Sequence, residues 1–215
     1  SGRPATVPPM RRPPRIGITG GLACGKSEVG RILRRLGLAV WEADDAVHRF
    51  LRAGTPYTRA IVRHFGPGVV RPDGSVARER LAAIVFRNAA RRRRLEAILH
   101  PPVLWEMCRW MRIMSRRGAP ALAAVVPLLF ECGIQGTFDV VLCVAAKRPI
   151  VLERVRRRGI GLAEARCRLA AQWPLWRKCR ASDYVITNNG TRAELARRVR
   201  RWWKQWQQEG DHVHV

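Results

Sequence analysis

The sequence predicts an α/β fold: a three-layer core with a parallel five-stranded sheet, covered by helices on both faces and interrupted by two helical insertions. Three observations carry that expectation. Short β-rich runs alternate with longer helical stretches, the pattern of a parallel sheet buried on both sides. A glycine-rich loop over residues 20–27 joins the first strand to the first helix. About eighty residues, mostly helical by pattern, separate the second strand from the third, too many for one crossover helix.

The elements follow in order. Residues 1–14 are rich in Pro and Arg, carry no apolar stretch, and read as a flexible tail rather than a leader. A strand at 15–19 enters the glycine loop, and an amphipathic helix leaves it from Lys26 to about Leu36. A second strand covers 38–41, followed by a helical insert over 44–118. Within it, Pro72-Asp73-Gly74 is a turn, and Pro101-Pro102 after His100 is expected to break or kink a helix. Strands at 121–126 and 140–144 come next, then an Arg-dense helical segment over 149–182, interrupted near Gly159 and Gly161. A last strand covers 184–187. The closing helix, 191–208, places Leu195, Val199, Trp202, Trp203 and Trp206 at helical spacing, a core face rather than a base-stacking platform. Residues 209–215 read as a second flexible tail. One domain over 15–208 results, with its core at 15–43, 119–148 and 183–208.

Charge is lopsided, with 41 Lys and Arg against 16 Asp and Glu and a formal net of +25. Only Lys26, Lys147, Lys178 and Lys204 are lysines. Such a balance suits a nucleic-acid binder, solvated helix faces, or a protein that grips polyanionic ligands through Arg. The arginines fall on several helices, so no specific nucleic acid is expected. The longest apolar runs, 119–130 and 138–146, are too short to cross a bilayer, and no membrane role is expected. The six cysteines form no C-x-x-C pair and read as free thiols of a cytoplasmic protein.

Gly20-Gly21-Leu22-Ala23-Cys24-Gly25-Lys26-Ser27 satisfies G-x-x-x-x-G-K-[ST] between a strand and a helix, the context that marks a P-loop. Glycines let backbone N–H groups converge on phosphate oxygens, and the helix N-terminus adds its positive end. The cradle is taken as Gly21, Leu22, Ala23, Cys24, Gly25, Lys26, Ser27 and Glu28. Lys26 would reach the β- and γ-phosphates of ATP, and Ser27 would ligate Mg²⁺. Cys24 fits either as a small side chain or as an acidified thiol; the first is favoured.

P-loops serve several reactions. Transfer to a hydroxyl needs an acceptor pocket, a nearby carboxylate and a lid. Asp44 follows the second strand at its carboxyl end, where such sheets present ligands, and the insert behind it supplies an acceptor pocket. Arg154 and Arg158 lie one helical turn apart in the second insertion, placed to close over phosphates. Each has a plainer reading: Asp44 as a helix cap, the arginines as a solvated pair, Glu131 as a surface carboxylate, His100 as a structural residue before Pro.

Longer ordered stretches carry a resemblance. Ile18-Thr19-Gly20-Gly21 leads into Gly25-Lys26-Ser27 and then Glu42-Ala43-Asp44. Phe65-Gly66, Asp73-Gly74, Val85-Phe86, Leu99-His100-Pro101 and Pro127-Leu128-Leu129-Phe130-Glu131 follow. Arg154 with Arg158, Ala171-Gln172, and Ser182-Asp183-Tyr184-Val185-Ile186 before Asn188 complete the series. In that order, over most of the chain, they resemble the dephospho-CoA kinases. The resemblance implies a nucleotide-kinase-like fold with core, acceptor insert (44–118) and lid (149–182). It implies ATP with Mg²⁺ as donor and the ribose 3′-hydroxyl of dephospho-CoA as acceptor, in a monomer or small homo-oligomer. Asp44 matches the family's base, Arg154 and Arg158 its lid arginines, and Asn188 a residue near the adenine; His100 and Glu131 fall to the acceptor side. Glu28, Glu42, Gly159 and Thr187 depart from the family's usual residues. Other nucleoside or nucleotide kinases, a nucleic-acid-binding ATPase and a non-catalytic CoA-binding module are the rival readings.

Overall fold

The computed structural model describes residues 12–86, 88–161, 165, 169 and 171–212. Most of the expected N-terminal tail and part of the expected lid therefore lie outside the described residues. Five strands form one sheet: β1 (Arg15–Gly20), β2 (Ala39–Glu42), β3 (Leu122–Val125), β4 (Val140–Ala145) and β5 (Tyr184–Thr187). Their order is β2-β3-β1-β4-β5 and every pairing is parallel. β1 sits centrally: the chain runs from it to β2 and β3 on one side and then crosses to β4 and β5 on the other. Ligands bind outside the carboxyl ends of strands at such a reversal.

Alternation along the strands builds two separate cores, because successive side chains point to opposite faces. On one face Ile16, Ile18, Ala123, Val125, Leu142 and Val144 pack with α1 (Lys26–Arg35) and the closing helix. On the other, Leu122, Ala124, Val126 and Val141 meet α2 (Ala43–Phe50) and the long helix of the insert. The insert also has its own small core, including Leu51, Ile61, Phe65, Leu81, Val85 and Leu99.

Local chemistry explains where the insert's helices begin. Thr55 Oγ1 accepts from Thr58 N at the start of α3 (Pro56–Phe65), with Pro at the first position. The Pro72-Asp73-Gly74 turn forms as expected: Asp73 Oδ1 accepts from Ser75 N at 2.8 Å, and Val70 bridges Val76. After α4 (Arg78–Phe86), Asn88 caps α5 (Ala89–Arg116) by accepting from Arg91 N. Of the break or kink expected at Pro101-Pro102, the break does not occur: α5 runs through both prolines. Proline removes a backbone donor and crowds the carbonyl four residues earlier. Burial of Leu99, Val103, Met107 and Met111 on either side of the pair holds the helix continuous.

Beyond β4, α6 (Arg148–Arg157) ends where Gly159 takes a φ of 66°. The chain returns to the sheet through α7 (Leu175–Ala181). The closing helix α8 (Arg192–His212) opens on a reciprocal cap: Thr191 N donates to Glu194 Oε2 and Glu194 N to Thr191 Oγ1. It continues beyond the end expected at Gln208, and its Trp202 is buried against Leu195 and Val199. No helix among the described residues is long and apolar enough to cross a membrane.

Candidate active site

The glycine loop wraps the carboxyl end of β1 under conditions few side chains would tolerate. Gly20 (φ 144°) lies against β4, where a Cβ would come 2.1 Å from the Val144 carbonyl oxygen. Gly25 (φ 104°) caps α1, and a Cβ there would meet Asn188 Nδ2 at 2.3 Å. Only glycine suits both the backbone and the space. Lys26 folds back over the loop, Nζ donating to the carbonyls of Gly21 (2.7 Å) and Gly20 (3.2 Å). Desolvation lowers its pKa to about 8, with Cys24 acting in the opposite direction.

Two residues from distant elements brace this loop. Asn188, after β5, is buried and donates from Nδ2 to the Cys24 carbonyl at 2.9 Å. Arg154 on α6 reaches the Ala23 and Cys24 carbonyls at 3.4 and 3.5 Å, and the Asn188 carbonyl at 3.0 Å. Both line the cavity over the loop, so the structure gives each a bracing contact beyond the ligand contact expected of it. Arg158 lines the same cavity. The Cys24 side chain turns into the core at 1% exposure. Burial raises its pKa against the pull of Lys26, which favours the small-side-chain reading over an acidified thiol.

Two cavities share a mouth. The first, about 450 Å³, is lined by Leu22, Ala23, Gly25, Lys26, Ser27 and Glu28 of the loop, together with Arg154, Arg158 and Asn188. The second, about 310 Å³, is mainly apolar and lies between α2, α4 and α5, with Val47, Val85, Leu99, Val103 and Leu104 in its wall. Asp44, Pro127 and Gln172 line both. Asp44 is exposed in the first turn of α2, whose N-cap is Glu42; it is not the capping residue. Ser27 lines the polar cavity on the loop side.

His100 lines the apolar cavity, its Nδ1 3.6 Å from Cys132 Sγ. Glu131 does not line either cavity, contrary to its expected place on the acceptor side. It points inward instead: Oε1 lies 2.9 Å from Lys178 Nζ and accepts from Trp173 N at 2.7 Å. Pairing with a buried amine explains that orientation, since an unpaired carboxylate would stay in water.

The sequence profile of dephospho-CoA kinases matches residues 15–194. The chain belongs to the dephospho-CoA kinase family. The dephospho-CoA kinase of Geobacillus kaustophilus is 43% identical over 192 residues, covering 89% of this chain and 96% of its own. That of Symbiobacterium thermophilum is 44% identical over 190 residues, covering 88% and 80%. Among solved structures, TT1252 from Thermus thermophilus superposes with a TM-score of 0.73 at 33% identity, covering 93% of this chain and 98% of its own. Dephospho-CoA kinase from Campylobacter jejuni, at 23% identity and a TM-score of 0.65 over 91% of this chain and 98% of its own, shares the fold.

Three of the four residues expected to depart from the family's pattern have local partners here. Glu28 pairs with Arg31 at 2.6 Å, and Glu42 lies 3.8 Å from Arg34. Thr187 Oγ1 accepts from Arg198 Nη1 at 2.5 Å. Sequence reasoning missed the buried Lys178 and the polar-cavity residues Arg31 and Arg192; Arg157, in the Arg-rich run with Arg154 and Arg158, lines the same cavity. One signal pointed to Lys178: like Lys26, it is a lysine in a chain that otherwise prefers arginine. A buried slot that admits one Nζ has no room for a guanidinium fork.

Proposed function

We propose that this kinase transfers the γ-phosphoryl group of ATP to the ribose 3′-hydroxyl of dephospho-CoA, the last step of coenzyme A formation. The observation that carries the reading is the shared mouth, where Asp44 stands between a phosphate cradle and an apolar acceptor cavity. The donor phosphates lie on the loop amides and Lys26. The acceptor fills the cavity behind α2, bringing its hydroxyl to Asp44 opposite the ADP leaving group. Asp44 orients that hydroxyl and takes its proton as the oxygen attacks. Lys26 and the lid arginines Arg154 and Arg158 disperse the charge on the phosphoryl group in flight.

The donor set fits Mg²⁺. Ser27 and Asp44 line one cavity, and no cluster of three or more His, Cys, Asp or Glu suited to a closed metal site occurs among the described residues. Mg²⁺ takes few protein ligands besides water and substrate phosphates, and when bound it neutralises charge on the β- and γ-oxygens. ATP and dephospho-CoA are the proposed partners, in a cytoplasmic monomer or small homo-oligomer that binds nucleic acid only non-specifically and with steep salt dependence. The test is ADP release in the presence of Mg²⁺ with dephospho-CoA as sole acceptor. Strong stimulation over water, and far weaker use of adenosine or AMP, is expected. Release no faster with dephospho-CoA than with water overturns the assignment.

A further inference from the structure

Lys178 is the one fully buried lysine among the described residues, at 0% exposure, and the chemistry above makes no use of it. Its Nζ donates to the Pro127 carbonyl at 2.6 Å, lies 2.9 Å from Glu131 Oε1, and reaches Gln172 Oε1 at 3.4 Å. Pro127 follows β3, whereas Gln172 and Lys178 belong to the return of the lid segment. One amine therefore joins the end of the central sheet to the root of the lid. The join is reinforced around Trp173, whose N–H donates to Glu131 Oε1 and whose ring stacks on Phe130 at 5.5 Å. Arg177 covers the same ring at 3.7 Å.

Two of the groups Lys178 holds, Pro127 and Gln172, are two of the three residues lining both cavities. Lys178 has only donors, so Gln172 must turn its carbonyl oxygen toward it. Its Nε2 hydrogens are then on the side away from Lys178 and are what Gln172 can offer a ligand at the mouth. Burying two opposite charges is costly and adds little stability over an apolar pair. Packing alone gives no reason for the pair, but placement at the mouth does.

We infer that Lys178 and Glu131 are positioning residues that hold the Gln172 amide, donor side outward, across the mouth where the acceptor oxygen meets the transferring phosphoryl group. Gln172 is then a catalytic residue, donating to an oxygen of that group or of the acceptor. The inference rests on the phosphotransferase reading, and wild-type turnover with dephospho-CoA, measured alongside, tests that reading separately.

The experiment compares Gln172→Ala, Glu131→Gln, Glu131→Ala and the double variant Lys178→Met/Glu131→Leu by kcat, KM for dephospho-CoA, ATP affinity and thermal unfolding. Gln172→Ala is expected to lower kcat by about 10²-fold with ATP affinity unchanged. Glu131→Gln keeps an acceptor for Trp173 N and Lys178 and should hold kcat within about threefold, whereas Glu131→Ala loses about tenfold or more. The double variant replaces the pair with apolar groups, so it should unfold near the wild-type temperature yet lose kcat by about tenfold or more. A folded double variant with wild-type kcat leaves the pair a structural role alone and overturns the inference. Where that variant does not fold, equal kcat for Glu131→Gln and Glu131→Ala overturns it, as does a wild-type kcat in Gln172→Ala.

Discussion

The two cavities that meet at Asp44 are built differently. The polar one has a local floor, Leu22, Ala23, Gly25, Lys26, Ser27 and Glu28 of one short stretch, with Gly21 and Cys24 outside its lining and arginines from several other elements around it. The apolar one is assembled from α2, α4, α5, the end of β3 and the residues just before α7, positions up to about 130 residues apart. A local cradle depends on backbone conformation and a few fixed charges. The distributed cavity depends on how helices pack, so its shape follows from the stability of the insert. The comparison teaches that donor binding and acceptor binding should fail separately.

The sharpest test is Asp44→Asn, at the residue both cavities share. Asn keeps the size of the side chain but cannot take a proton, so turnover should fall ~10²–10⁴-fold while ATP affinity and thermal stability hold. Near-normal turnover would remove Asp44 from the chemistry. Lys26→Ala, confined to the cradle, should cut turnover by about 10²–10³-fold and weaken ATP binding as well. Isothermal calorimetry of ATP binding separates the two variants, and equal ATP affinities would break the contrast.

On the other side, Leu99→Ala should destabilise the protein by about 2–5 kcal/mol, because Leu99 is buried in the insert core and lines the apolar cavity. Its KM for dephospho-CoA should rise, with ATP affinity unchanged at temperatures well below unfolding. A matching loss of ATP affinity would show that the insert and the cradle are not independent.

The smallest effect concerns pH. Burial depresses Lys26 to about 8, and bound phosphate restores preference for the charged form. Below about pH 8 the lysine is already charged, and ATP affinity should be flat. Above it, binding must take up a proton, so affinity should fall by up to about tenfold per pH unit, and Lys26→Met should abolish the slope. The linkage to folding has the opposite sign. The unfolded chain holds more protons between about pH 8 and the ordinary lysine value, so the penalty for burying Lys26 is full below pH 8 and lessens as pH rises through that window. Thermal unfolding of wild type against Lys26→Met across pH 7–10 checks that sign.

All five strands were legible from hydrophobic runs, because a parallel sheet covered on both faces needs apolar residues at nearly every position. The glycine loop was legible for the same kind of reason: its geometry is a local backbone requirement written in consecutive residues. α5 was read less well. Two prolines are a strong local signal against a helix, but the buried faces of Leu99, Val103, Met107 and Met111 outweigh it, and burial cannot be read from one segment.

The sequence alone determined the order of elements, the phosphate cradle with Lys26 and Ser27, and the kinship of the chain, all properties of neighbouring residues or of their order. Tertiary structure alone decided that Asn188 and Arg154 brace the cradle, that Glu131 turns inward to Lys178, and that Pro127 and Gln172 join Asp44 at the mouth. Those pairings span from about 30 to 160 positions of the chain. Nothing in a residue's own neighbourhood specifies a partner at that distance; the strand order of the sheet and the closure of two apolar cores bring them together.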